Sequence, residues 1–260
     1  MRIIHLSDLH FGTEMPELVE SLSRHIRETP AHLIVVSGDL TQIASHEEFR
    51  RARDFIRSLD TPLFCVPGNH DIPRYNLIER MTAPYRRYRR YISADIAPVL
   101  ETPDFCMAGI NTARRILPHW NWAHGAVSSR QLQQIRNSFE TSGAPLRLCV
   151  MHHPVHEVAN QDFRTIVFGG THALNALGEM KADLVMTGHV HHAAATVVEH
   201  GNHRTMFLGA STALSRRLRR SANGYNAVTI ENGRMTIEMF SYRDRNFVLQ
   251  DTIRHEASGH

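Results

Sequence analysis

Three short apolar runs, each leading directly into an acid or an amide, constrain this chain more than any other feature. Arg2–Ser7 runs into Asp8, His32–Ser37 into Gly38-Asp39, and Leu63–Val66 into Pro67-Gly68-Asn69. Each run has strand length and is apolar at successive rather than alternate positions. Strands of that kind are buried on both faces, as in a parallel or mixed sheet covered by helices. The intervening segments agree. Pro16 to about Glu28 carries Leu18, Val19, Leu22 and Ile26 at helical spacing. Ser45 followed by Glu48 forms a capping box, and the helix it opens turns Phe49, Ala52, Phe55, Ile56 and Leu59 inward. Alternating strands and helices predict an α/β fold, in which ligands gather at the C-terminal ends of the strands.

The middle of the chain is less regular. Ile72 to about Ile92 reads as helical and contains Tyr85-Arg86-Arg87-Tyr88-Arg89-Arg90-Tyr91. Basic residues interleaved with tyrosines can grip nucleic acid by charge and stacking. The favoured reading is a helix whose tyrosines pack inward and whose arginines face solvent. Phe105–Ile110 and Leu146–Met151 read as strands, with a helix over Ser128–Phe139 between them. Leu184–Met186, Ala195–Val198, Thr205–Leu208, Tyr225–Ile230 and Met235–Phe240 read as further strands, the last two joined by the hairpin signal Glu231-Asn232-Gly233-Arg234. With no repeat, linker or low-complexity tract, one domain over residues 1–260 is expected, frayed from about Arg254.

Candidate ligands sit at the strand ends. In order they are Asp8-Leu9-His10, Gly38-Asp39, Gly68-Asn69-His70-Asp71, His152-His153-Pro154 and Gly188-His189-Val190-His191. In a chain with 19 histidines any one of these is a weak signal. All five in order, each at a strand end, are a strong one. Asp8 and His10 are two apart, as are His189 and His191, so in extended chain each pair points to one face as a pincer. Two carboxylates, an amide and several imidazoles suit a pair of borderline divalent cations. Paired cations of this kind activate water for attack on phosphorus or a carbonyl.

Composition narrows the class. The 42% of hydrophobic residues suffice for a large core, and the formal charge of +3 is compatible with anionic substrates without arguing for nucleic acid. Cys65, Cys106 and Cys149 are widely spaced in apolar surroundings, which suggests buried free thiols in a reducing compartment. The first residues have no signal-peptide character, and no apolar run reaches the roughly 18 residues of a membrane span. A cytoplasmic protein is expected.

These motifs make the chain resemble the calcineurin-like metallophosphoesterases over nearly its whole length. It is most similar to the small bacterial branch that includes cyclic-nucleotide and glycerophosphodiester phosphodiesterases. The resemblance implies an αββα sandwich of two mixed sheets flanked by helices. It implies two divalent or mixed-valence metal ions, one held by Asp8, His10 and His191 and the other by Asn69, His152 and His189, with Asp39 bridging. His152 is chosen over His153 because the family pattern is His-x-Pro. A metal-bridging hydroxide would attack the phosphorus of a small phosphodiester. His70, if protonated, would donate to the leaving group, with Asp71 as its orienting partner.

The charges agree with this assignment. Two divalent cations against Asp8, Asp39 and a hydroxide leave about one net positive charge for a phosphodiester anion. Ligation by nitrogen and oxygen alone permits Mn, Fe, Zn or Co. Around the metals, Asn69, His70, His153, Asn111 and Arg114 are candidate substrate contacts, Asn111 and Arg114 because the family often carries a similar Asn-Thr segment. Residues 215–220, with four arginines, are placed at the pocket rim or in solvent. His5 and His192 lie outside the pattern and are read as structural.

The alternatives are a nuclease or a lipid-precursor pyrophosphatase of the same superfamily. The chain has no room for a large DNA-binding region, and residues 72–92 are short and basic for an apolar lid. Gly38-Asp39-Leu40-Thr41-Gln42-Ile43 and Gly68-Asn69-His70-Asp71 depart from the GDxxDRG and GNHE of protein phosphatases. A scaffold that has lost catalysis is disfavoured because every expected ligand is present.

Overall fold

A computed structural model describes residues 1–29, 31–156, 166–219 and 221–256. The chain begins with β1 (Arg2–Leu6), α1 (Pro16–Glu28), β2 (Leu33–Val36), α2 (His46–Ser58) and β3 (Leu63–Cys65). Two short helices follow, α3 (Leu77–Thr82) and α4 (Arg86–Tyr91). Next come β4 (Val99–Glu101), β5 (Cys106–Ile110), β6 (Gly125–Ala126), α5 (Ser129–Thr141) and β7 (Arg147–Met151). Then come β8 (Val167–Phe168), α6 (Gly170–Glu179), β9 (Leu184–Thr187), β10 (Ala194–His200) and β11 (His203–Gly209). The chain closes with β12 (Gly224–Glu231), β13 (Arg234–Arg243) and β14 (Asn246–Glu256).

Twelve strands build two six-stranded sheets, in the orders β14-β13-β12-β1-β2-β3 and β10-β11-β9-β7-β5-β4, and β6 and β8 pair as a small parallel sheet of their own. Both six-stranded sheets are mixed. In the first, β1, β2 and β3 are parallel and β12 meets β1 antiparallel. In the second, β5, β7, β9 and β11 are parallel, with β4 and β10 antiparallel at the edges. Side chains of one strand divide between two cores, as a period of two requires. Leu33 and Val35 of β2 pack with Leu148 and Val150 of β7 between the sheets. Ile34 and Val36 pack outward with Leu18 and Leu22 of α1 and Phe49 of α2. On the far side, Cys149 and Met151 of β7 pack with Leu132 and Ile135 of α5 and Leu177 of α6. The result is the expected αββα sandwich.

The local signals hold. Ser45 Oγ accepts from Glu48 N at 3.1 Å while Glu48 Oε2 accepts from Ser45 N at 3.0 Å. All five residues expected on the inner face of α2 and at its end are buried. Asn232 and Gly233 adopt φ of 51° and 74°, the left-handed pair of a tight hairpin turn. The three cysteines are free and buried. No described helix is long and apolar enough to cross a membrane.

Other readings need correction. The helix expected from Ile72 to Ile92 is broken into α3 and α4, because Pro84 cannot donate a helical hydrogen bond and drives Ala83 out of helical geometry, to φ −147°. The tyrosines do turn inward: Tyr88 is buried and donates to Cys65 O at 2.9 Å, and Tyr85 donates to Ala113 O at 2.6 Å. Arg86 and Arg87 both pair with Glu79. The edge strand β14 escaped the sequence reading because its apolar residues are interrupted by Gln250, Asp251 and Arg254. Its pairing with β13 continues to Arg234↔Glu256, past the point where fraying was expected. Residues 257–260 lie outside the described residues.

Candidate metal centre

Three neighbouring parallel strands set out the first half of the site. β1, β2 and β3 lie side by side, and Asp8, Asp39 and Asn69 follow their respective C-terminal ends. His152 follows β7, and His189 and His191 follow β9, in the facing sheet. With His10, two residues beyond Asp8, these make seven, and five of them turn sharply as they leave their strands. Asp8, His10, Asp39, His189 and His191 have φ of 50°, 47°, 54°, 69° and 52°. Non-glycine residues enter this region only under constraint, and such strain concentrates at functional sites. Here it is held by hydrogen bonds. Asp8 N donates to Gly38 O and His10 N to Asp39 O, each at 3.0 Å. Ser7 Oγ and His189 N both donate to Asp8 Oδ2, at 2.7 and 2.9 Å. His70 N donates to Asp39 Oδ1 at 2.8 Å.

The turn geometry corrects one expectation. In extended chain His189 and His191 would form a pincer, but their left-handed backbone sends the two rings to different neighbours. His191 Nε2 is 3.0 Å from Asp8 Oδ1 and 3.1 Å from His10 Nε2. The His189 ring lies 5.1 Å from that of His152 and 4.4 Å from that of His153, centroid to centroid. Asp8-His10-His191 and His152-His153-His189 form separate groups of potential ligands, and the groups His10-Asp39-His70 and Asp8-Asp39-His152 join them through Asp39. Asp39 stands between, with Oδ2 at 3.3 Å from His152 Nε2 and 3.8 Å from His10 Nε2.

The outer ring nitrogens fix the imidazoles. Nδ1 of His10, His152 and His191 faces the carbonyl oxygen of Thr41, Ser37 and Arg217 at 3.3, 2.8 and 2.7 Å. A carbonyl only accepts, so each Nδ1 carries the hydrogen and each Nε2 presents its lone pair inward. The lone pairs of His10 and His191 then oppose each other, and that of His152 opposes the Asp39 carboxylate. Only positive charge between them relieves this. Asp8 Oδ1, Asn69 Oδ1 and His152 Nε2 are also buried without a hydrogen-bond partner. Buried polar atoms left in this way cost free energy unless a ligand takes them up. The oxygen and nitrogen donors fit divalent cations of the first transition row.

The electrostatics point the same way. Burial alone would raise the Asp8 and Asp39 carboxyls, yet both are held well below the usual range, Asp8 chiefly by His191 and His10, Asp39 chiefly by His152 and His70. Burial would lower His152, but Asp39 and then Asp8 raise it to about 9. A proton and a cation therefore compete for the same place.

The neighbouring residues take roles that the sequence did not assign. Asp71 does not touch the His70 ring. It is buried and accepts four hydrogen bonds, from Leu40 N, Thr41 N, Thr41 Oγ1 and Gly68 N at 3.2, 3.0, 2.9 and 2.9 Å. It therefore ties together the loops that carry Asp39 and Asn69. His70 is oriented instead by Gln42 O, 2.6 Å from Nδ1, while its Nε2 faces Arg217 Nη1 at 3.3 Å. A guanidinium only donates, so Nε2 accepts here, and burial lowers the ring to about 4. His70 is thus neutral in this arrangement, so the protonation on which donation to a leaving group depended is not met here.

His153 does not open on to a pocket. It is buried, with Nδ1 2.7 Å from Thr112 Oγ1 and Nε2 2.8 Å from Ala123 O. Arg114 is engaged by Asn111 O and Gln131 Oε1, both at 2.6 Å, and the Asn111 side chain accepts from Ala113 N, so this pair holds its own loop. His5 and His192 bond to Ser37 Oγ and Ser221 Oγ at 2.9 and 2.8 Å. Arg217 does rim the site, bordering a cleft of about 450 Å³ with Asn69, His70, Gln42 and Trp122. Arg220 lies outside the described residues.

One pH dependence follows. Burial lowers His5 and His153 to about 3 and His70 and His156 to about 4. The unfolded chain protonates these rings near pH 6.5 and the folded chain does not, so stability falls as pH drops below 6.5. Asp71 and Asp183, raised by burial to about 7, act oppositely, gaining stability as pH falls from 7 towards 3.8. Four imidazoles outweigh two carboxyls. Urea unfolding of chelator-stripped protein should therefore lose roughly 2 kcal/mol between pH 6 and pH 5. A flat profile would contradict the neutral burial of these rings.

Comparison with known proteins agrees with the geometry. The family model for calcineurin-like phosphoesterases matches residues 1–193. A glycerophosphodiester phosphodiesterase of Enterobacter lignolyticus is 28% identical over 216 residues, 75% of this chain and 73% of that protein. A probable cyclic nucleotide phosphodiesterase of Coxiella burnetii is 22% identical, covering 74% of this chain and 76% of its own. A dimetal phosphatase from Danio rerio has the same fold, with a TM-score of 0.72 at 12% identity over 99% of both chains.

Proposed function

Because the chain belongs to the calcineurin-like phosphoesterase family, we propose that it hydrolyses small phosphodiesters with two metal ions held between its sheets. Asp8, His10 and His191 would hold one ion, Asn69, His152 and His189 the other, and Asp39 both. Mn, Fe, Zn or Co would suit this donor set. When bound, such a pair supplies Lewis acidity and water activated near neutral pH. The observation that carries the reading is the set of inward lone pairs, with Asp8 Oδ1, Asn69 Oδ1 and His152 Nε2 buried and unpartnered.

The chain's own residues supply the rest. The carbonyls of Thr41, Ser37 and Arg217 fix the imidazole tautomers. Asp71 fixes the loops that carry Asp39 and Asn69. The cleft beside Asn69 and His70 has room for a small substrate, and Arg217 at its edge attracts an anion. His70 Nε2 can take a hydrogen bond from a substrate hydroxyl once Arg217 turns to the phosphoryl oxygens. The names of the relatives in Enterobacter and Coxiella favour a diester over a monoester.

Bis(p-nitrophenyl) phosphate tests the reading. Chelator-stripped protein should be nearly silent, and added Mn²⁺ should raise turnover about a hundredfold or more. Faster metal-dependent cleavage of p-nitrophenyl phosphate, or of a pyrophosphate, would contradict the preference for diesters.

A further inference from the structure

The cleft beside the candidate centre carries features that a simple glycerol diester does not use. Its lining includes Arg74, Arg80 and Arg217 and no carboxylate. The chain's only two tryptophans, Trp120 and Trp122, also line it. Trp120 is 99% exposed and Trp122 36% exposed, so neither is there to fill the core. Trp122 is nevertheless held. The Arg80 guanidinium lies 5.1 Å from its ring centroid. Arg80 is itself fixed by the carbonyl oxygens of Pro73, Arg114 and Arg115, at 3.2, 3.4 and 2.7 Å. A ring fixed in this way at a cleft wall is a stacking platform whose ordering cost is already met. A phosphodiester brings one negative charge, and that charge belongs at the metal ions. The arginines beyond it call for a second anion. Arg74 is exposed at the cleft wall, with its guanidinium 5.7 Å from the centroid of the Tyr75 ring.

Resting on the phosphodiesterase reading, we propose that this cleft selects a diester bearing an aromatic base and a second phosphate. Trp122 and Trp120 stack the base, and Arg74 receives the additional phosphate. The substrate class is a short nucleotidyl diester with a terminal phosphate.

Three diesters separate these elements: pApA, with bases and a terminal phosphate; ApA, without that phosphate; and glycerophosphoethanolamine, with neither. With metal-loaded protein, kcat/KM should fall in that order. Trp122→Ala should shrink the ApA to glycerophosphoethanolamine ratio about tenfold, and Trp122→Phe should restore most of it. Arg74→Ala should shrink the pApA to ApA ratio about fivefold. Equal kcat/KM for all three diesters, or ratios unmoved by these variants, would overturn the proposal. Intrinsic fluorescence supplies an independent readout, since both tryptophans lie at the cleft. Saturable quenching by pApA, weakened in Arg74→Ala, would support the subsite even if no diester were turned over, an outcome that would sink the phosphodiesterase reading alone. No quenching in the wild-type protein would overturn the subsite.

Discussion

Asp39→Ala is expected to strip the protein of both metal ions and to abolish metal-dependent phosphodiester hydrolysis. Asp39 is the side chain that reaches both halves of the cluster, with Oδ2 3.8 Å from His10 Nε2 and 3.3 Å from His152 Nε2. Alanine leaves each half with neutral imidazoles and at most one other oxygen ligand. It also removes the acceptor of the His70 N–H. Losing a single oxyanion donor in an active site costs about a hundred- to a thousandfold, so loss of both ions should exceed a thousandfold. Elemental analysis after dialysis should find two metal equivalents in the wild-type protein and well under one in the variant. Asp8→Ala, made at an oxygen closest to His191 and His10, should mainly lose one ion. Retention of both ions by Asp39→Ala would show that the bridging assignment is wrong.

The second large effect lies outside the ligands. Asp71→Ala should destabilise the fold by about 4 kcal/mol in chelator-stripped protein, because three buried backbone donors lose their acceptor together, while the Thr41 hydroxyl can turn to His70 O. Each orphaned donor carries a cost of about 1 to 3 kcal/mol, less what local relaxation recovers. Urea unfolding is best compared at pH 8, above the value of about 7 to which burial and then Asp39 raise this carboxyl. Stripping the metal removes the linkage between binding and stability. A carboxylate that merely oriented His70 would give the opposite pattern, a loss of turnover with stability intact. That result would restore the role the sequence suggested.

Asp71 also shows where sequence reading stopped. Its place after Asn69-His70 invited pairing with the adjacent histidine, but three of its four donors belong to Leu40 and Thr41, 31 and 30 residues away in the loop after β2. Spacing along a motif does not reveal a contact made across two loops. The same limit applies to Arg217, which meets His70 from 147 residues further along the chain. The pincer expected of His189 and His191 fails for a local reason, although the two fall into separate ligand groups as the resemblance implies. The two-residue rule assumes an extended strand, and both residues have positive φ.

What was legible rested on stronger physics. The apolar runs at Ile3-Ile4, Leu33–Val36 and Leu148–Met151 are continuous because both faces of each sheet are covered, so strand ends and the residues beyond them could be located. α2 was legible from one capping box. β14 was not, because an edge strand half open to solvent tolerates Gln250 and Asp251. Trp120 and Trp122 sat in a stretch without periodicity, and only the folded chain brings them to the cleft.

The central claim is that these strand ends hold two metal ions. Anomalous diffraction from crystals grown with Mn²⁺, collected near the metal edge, tests it directly. Two peaks are predicted, one against Asp8, His10 and His191, the other against Asn69, His152 and His189, with Asp39 touching both. A single peak, or peaks away from these seven side chains, would contradict the account.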